Sequence, residues 1–321
     1  MKKSGKLMIA MLLVLISTMI TAIAFAKDAG KAGKDGKTYV PTAGTEYRWD
    51  KKKNKWIRTG VKFSADYDKQ GKVRSVKIAW KDDKAKESES LKYNYTWKGD
   101  NLQKESFKYK SLSNGKSGES YSVKTTYNIK NKKPVKEENV CYYYDEDGQL
   151  AGSFITKTKY TWKKNNKKGS GETRYTLQKK DDKTPYTGRS TDTYTLKKGK
   201  IAASKEDGYS FKYYDNGNLK SITKTSTDGK DKSVTKFNKA GYRVKYSYSH
   251  KDEKGVVTGY VTTYKWTIAD KKPKGVEWYT KELNGTTTDR YRYKYTETKK
   301  VAKSRNCDTF GIEVWLGLWG E

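Results

Sequence analysis

Histidine occurs once, at position 250, in the polar run SYSHKDEKG that leads into a turn. Nucleophilic catalysis by a Ser–His or Cys–His pair would have to use that ring, and neither cysteine lies near it in sequence. The expectation for His250 is therefore a solvated loop residue. One histidine and two cysteines, Cys141 and Cys307, supply too few ligands for a zinc site. Paired carboxylates hydrolyse glycosides, and acidic pairs are plentiful: Asp82-Asp83, Glu137-Glu138, Asp145 with Asp147, and Asp181-Asp182. Nearly all of them fall in turn-like stretches beside lysine, where solvated ion pairs form. The run Asp145-Glu146-Asp147-Gly148 lacks the later ligands of a calcium loop. No glycine-rich phosphate cradle precedes a helical stretch. The chain thus reads as non-enzymatic, with no cofactor and no metal.

Charge and rings remain. Seventy Lys and Arg stand against 37 Asp and Glu, a formal charge of +33, and removing Lys2, Lys3 and Lys6 with the N-terminal segment leaves about +30. Lysines alternate with aromatics, as at Lys92, Lys98, Lys108, Lys124, Lys157, Lys159 and Lys265. One sheet face should then be cationic. Such a face either keeps the protein soluble and blunts edge pairing, or attracts a polyanion weakly, with strong dependence on salt. Trp49, Trp56, Trp97, Trp162 and Trp266 stand beside turns, where half-exposed rings would stack on sugar faces or bases. The other rings are expected to be core.

These side chains need elements to hold them. Leu91, Tyr93, Tyr95 and Trp97 occupy every second position, as do Tyr242, Val244, Tyr246 and Tyr248, and Tyr291, Tyr293 and Tyr295. A period of two marks strands with one buried and one wet face. Twenty-seven Tyr and nine Trp supply an aromatic core where aliphatics are few, and only four Pro interrupt the strands. Two turn motifs recur. The first is YDKQGKVRS (67–75), YDEDGQLAGS (144–153) and YDNGNLKS (214–221), with FNKAGYRVK (237–245) as a degenerate copy. Asp or Asn opens the turn by bonding its own backbone, and Gly takes the positive φ. The second places Trp ahead of a polar loop: YRWDKKKNKW (47–56), YTWKGDNLQKES (95–106), YTWKKNNKKG (160–169) and YKWTIADKKPKG (264–275). The spacing predicts an all-β fold of roughly 16–20 strands of about 6–12 residues, in one long antiparallel meander of repeated hairpins. Twist should turn so many strands into a curled sheet, a sandwich or an open barrel-like wrap.

The Tyr-Asp turns resemble the YD repeats of Rhs and teneurin-like shell proteins and the hairpins of MORN-variant repeat proteins. The Lys/Thr/Tyr strand composition is similar to the single-layer sheet of a spirochaetal outer-surface lipoprotein, without its lipobox. These resemblances imply a hairpin array serving as shell, surface or binding scaffold, and carry over no catalytic residue.

The ends read differently. Residues 1–26 combine Lys2, Lys3 and Lys6 with an apolar stretch and Ala24-Phe25-Ala26, the form of a signal peptide cleaved before Lys27; an uncleaved anchor is the alternative. Residues 27–38 read as a flexible linker, 39–305 as the repeat domain, and 306–321, with Trp315 and Trp319, as an apolar cap over an open edge or end of the sheet, or a tail that docks on a partner. A Cys141–Cys307 disulfide is compatible with export, two buried thiols being the alternative. The expected partner is an anionic cell-wall polymer or polysaccharide, not intracellular nucleic acid, and the expected location is secreted or envelope-associated with no transmembrane span after cleavage. A shell-like surface protein with no dedicated ligand is the competing reading.

Overall fold

Strand-length runs separated by tight turns find their first partners in their sequence neighbours. A computed structural model describes residues 37–302, apart from residues 70–71, 83–85, 99–100, 115, 131–132, 146, 164–167, 198–199, 206–207, 216–218, 240–241 and 271. Eighteen strands follow one another: β1 (Lys37–Asp50), β2 (Lys55–Tyr67), β3 (Val73–Asp82), β4 (Glu87–Lys98), β5 (Asn101–Ser113) and β6 (Lys116–Lys130). Next come β7 (Lys133–Tyr144), β8 (Leu150–Trp162), β9 (Lys168–Lys179), β10 (Tyr186–Lys197), β11 (Lys200–Ser204) and β12 (Tyr209–Tyr213). The last six are β13 (Leu219–Thr225), β14 (Asp231–Phe237), β15 (Arg243–Lys251), β16 (Val257–Ala269), β17 (Lys272–Glu282) and β18 (Thr287–Ala302). No helix occurs among the described residues. Lys37 and Thr38, expected in the linker, already belong to β1.

Each strand pairs antiparallel with the next, and β1 also pairs with β18 from Lys37↔Ala302 to Arg48↔Tyr291. The meander therefore closes into an up-and-down barrel. Right-handed twist curls a sheet of this many strands, and closure gives the first and last strands a partner in place of two exposed edges. The all-β antiparallel meander expected from sequence is present, and of the curled sheet, sandwich or barrel-like wrap it takes the barrel, with its ring closed. The segments 1–26 and 306–321 lie outside the described residues.

The wall has two unlike faces. Directly paired residues share a face, so the pairs Phe63↔Ile78, Ile78↔Leu91, Leu91↔Tyr109 and Tyr93↔Phe107 trace one row of apolar side chains around the barrel. Val276↔Tyr293 and Tyr264↔Trp278 continue it on the other side of the closure. Those side chains are buried or packed against buried ones, which makes theirs the inner face. The largest buried cluster spans β1–β5 and β16–β18, and a smaller one joins Tyr209, Phe211, Ile222 and Phe237 on β12–β14. Ring pairs such as Trp278–Tyr293 and Tyr93–Phe107 lie 5.4 and 4.4 Å apart. On β8–β10 the rings fold over glycine: a Cβ on Gly188 would meet the Tyr175 ring, and one on Gly169 the Trp162 ring.

The turn motif works as its residue types require. Asp68 closes its loop twice, its amide donating to the Lys72 carbonyl and its carboxylate accepting the Lys72 amide, both at 2.8 Å. Asp145 with Gln149, Asn238 with Tyr242 and Asp252 with Val256 repeat the arrangement. The register slips by one residue beside three of these loops, at Asp66/Tyr67, Tyr143/Tyr144 and Lys236/Phe237. Two tryptophans of the second motif attach themselves there. Trp97 Nε1–H donates to the carbonyl of Val73, and Trp266 Nε1–H to that of Arg243, each at 2.8 Å. Val73 and Arg243 are the first strand residues after their loops, so the two motifs interlock.

Candidate functional site

Inner-face polar groups come first, because burial makes their chemistry most unusual. Glu105 (β5) and Glu137 (β7) flank β6 on the inner wall. Tyr127 donates to Glu105 at 2.9 Å and Tyr160 donates to Glu137 at 2.6 Å. Burial pushes the Glu105 carboxyl up to about 8, the Tyr127 hydrogen bond opposes the rise, and nearby Glu137 adds to it. Glu105 is thus a neutral acid at pH 7, held among tyrosines. Neighbouring Asn139 donates to Thr125 at 3.1 Å. Glu46 (β1) is likewise raised by burial, its bond from Thr59 at 2.9 Å acting the other way. Arg243 lies buried between the rings of Tyr246 and Tyr264, at 4.9 and 4.8 Å.

His250 is not a loop residue. It stands on β15 directly opposite Asp231, with Nδ1 2.9 Å from the carboxylate that also accepts the Tyr248 hydroxyl at 2.5 Å. Those two hydrogen bonds, Tyr248's the larger effect, hold the Asp231 carboxyl below its ordinary range. Cys141 is a free, buried thiol on β7, its acidity lowered by burial; Cys307 lies outside the described residues.

The outer face carries the charge. On β3–β6, Lys77, Lys92, Lys98, Lys104, Lys108, Lys110 and Lys124 all point outward and are exposed. No acidic side chain among the described residues faces outward on these four strands. Lys77 is paired directly with Lys92, and Lys92 with Lys108, so three ammonium groups cross three adjacent strands in one row. Like charges directly opposite one another destabilise a sheet. Elsewhere the wall is partly neutralised: Lys157 pairs with Glu138 at 3.3 Å, Arg189 with Glu172 at 3.3 Å, and Lys159 stands opposite both Lys136 and Glu172. Lys265 lies opposite Glu277, with Nζ 5.9 Å from the Tyr279 ring.

The five turn-side tryptophans divide. Trp97, Trp162 and Trp266 point inward near the rim where β1 begins and β18 ends. Two of them hold loops, as above, and Trp162 lies between Tyr160 and Tyr194, both at 6.2 Å. Trp49 and Trp56 face one another across the β1–β2 hairpin at the opposite rim, edge to face at 5.3 Å, and point outward. The sequence reading missed what surrounds them. Arg290 lies over both rings, at 5.6 and 5.4 Å, and Arg292 lies over Trp56 at 4.3 Å and Tyr47 at 5.3 Å. Glu277 accepts from Arg290 Nε at 2.6 Å and also from its Nη2. Arg292 and Arg290 sit at alternate positions of β18, but their partners come from β1, β2 and β17. Barrel closure brings those strands together, and no local signal announces it.

No protein-family model and no curated protein matches the chain. Among solved structures it is similar to a porin-like protein from Bacteroides uniformis, at 12% identity and a TM-score of 0.31, over 72% of this chain and 98% of that one. It is also similar to TcdB2-TccC3 without its hypervariable C-terminal region, at 9% identity and a TM-score of 0.22, over 74% of this chain but only 17% of that one. At these scores the likeness carries nothing about shape or activity.

Proposed function

We propose that this protein is an exported, non-enzymatic β-barrel that binds an anionic cell-envelope polymer on its outer wall. The carrying observation is the row Lys77–Lys92–Lys108 within an outward panel free of acidic side chains. A bare row of like charges costs stability, and a polyanion laid across the strands removes that cost while releasing its own counterions. The same lysines argue for a wall in water. A lipid-embedded barrel carries an apolar outer band, and each lysine at the bilayer midplane costs about 2–4 kcal/mol. The inside-out distribution of rings and charges here is that of a water-facing barrel with an aromatic interior.

The test is retention on purified cell wall and on inorganic polyphosphate across a salt series. Retention should fall steeply between about 0.05 and 0.5 M salt, with log affinity linear in log salt. Retention that ignores salt would remove the electrostatic reading and leave a structural surface protein.

A further inference from the structure

The aromatic plate around Trp56 contains its own template for a ligand. Arg290 stacks on Trp49 and Trp56 and holds the Glu277 carboxylate on its donors. Arg292 stacks on the same Trp56, more closely; it stands directly opposite Glu277 in the β17–β18 ladder and feels that carboxylate's charge, but its Nε has no hydrogen-bond partner. Its Nε is shielded from water. Two guanidinium groups thus share one indole and one carboxylate, which takes hydrogen bonds from Arg290 and acts on Arg292 through its charge. An Arg stacked on an aromatic face is pre-organised for a planar, bidentate anion.

Resting on the polymer reading, we infer that Trp49, Trp56 and Arg292 form a subsite for an acidic sugar whose pyranose ring bears a carboxylate. The guanidinium groups already cover Trp56 and the two indoles stand at 70°, so the apolar face of the sugar lies on Trp49, and its carboxylate takes on Arg292 the position that Glu277 holds on Arg290. Lys294 adds positive charge beside the plate, over the Tyr47 ring at 5.4 Å. From β2 a bound chain runs on to the lysine panel of β3–β6, so subsite and panel engage one polymer. The panel attracts any polyanion, whereas the plate selects one with sugar rings.

Polygalacturonate, with rings and carboxylates, and inorganic polyphosphate, with charge but no rings, separate the two parts. At about 0.15 M salt, Trp56→Ala and Arg292→Lys should each weaken polygalacturonate binding about tenfold and leave polyphosphate binding within about twofold. Trp56→Phe, which keeps a ring, should retain most of the affinity and serves as the control should Trp56→Ala fail to fold. Arg292→Lys keeps the charge and loses only the planar fork. Unchanged polygalacturonate binding in both variants, or equal losses for the two polymers, overturns the subsite. Wild-type protein that binds polyphosphate but not polygalacturonate also overturns it while the electrostatic reading stands. Binding to neither polymer overturns both.

Discussion

Burial sets the behaviour of Glu105. Its carboxyl titrates near 8 in the folded barrel, against about 4.3 in an unfolded chain. A raised folded value means the protein binds this proton more tightly than the unfolded chain does. The associated stability is whole below about pH 4.3 and drains away as pH rises towards 8, at up to about 1.4 kcal/mol per unit. Glu105→Gln should flatten that part of the profile and make the barrel more stable than wild type above pH 8, with Tyr127 still bonded to the amide oxygen. Denaturant unfolding from pH 5 to 9 measures it, and identical slopes for the two proteins would show that Glu105 titrates as it does in water. In sequence Glu105 falls in the polar stretch YTWKGDNLQKES, and its place on the face of Phe107 and Tyr109 is legible only once the strand is extended back to it. Its proton is not, because that depends on Tyr127 and Glu137 from two other strands.

At the scale of elements, the two turn motifs turn out to be halves of one device. A loop opened by Asp68 or Asn238 leaves a slip in register, and a tryptophan from about 23 residues downstream reaches the adjoining carbonyl. Trp266→Phe keeps the ring but removes the donor, leaving the half-buried Arg243 carbonyl without it. The expected loss is about 1–2 kcal/mol, seen as a lower denaturation midpoint with unchanged slope. A loss below about 0.3 kcal/mol would show that ring packing, not the hydrogen bond, holds the loop. Each motif is plain in the sequence, and so is their recurrence. Their bonding is not, because Trp97 and Trp266 look like Trp49 and Trp56 until the strands are given an inside and an outside. Trp49 and Trp56 stand on the outer wall by alternation from Gly44 and Phe63, because the irregularity around Gly60, which has φ of 88°, shifts the register by two residues and keeps the faces.

The whole molecule sets most of its rings inside and most of its lysines outside a single closed wall. If the lysine row is kept for a polyanion, relieving it should stabilise the free protein and weaken its binding together. Lys92→Glu, set between Lys77 and Lys108, should raise stability by about 0.2–1 kcal/mol and reduce polyphosphate affinity severalfold, with a shallower salt slope. Thermal melts without ligand, paired with binding isotherms, test both; a destabilised variant with unchanged affinity would count against the row as a binding element. The sequence by itself determined that this chain is all-β, antiparallel and two-faced, because a period of two and the Asp, Asn and Gly turn residues are local facts encoded side by side. It also determined that lysines 92, 98, 157, 159 and 265 lie opposite the rings. Only the tertiary structure decided that the ends meet, that Arg290 and Arg292 come to lie over Trp56, and which lysines have acidic neighbours. The last is set by the register of each hairpin; the first two depend on β1 pairing with β18, residues far apart in the chain that only the accumulated twist of the whole ring brings into register.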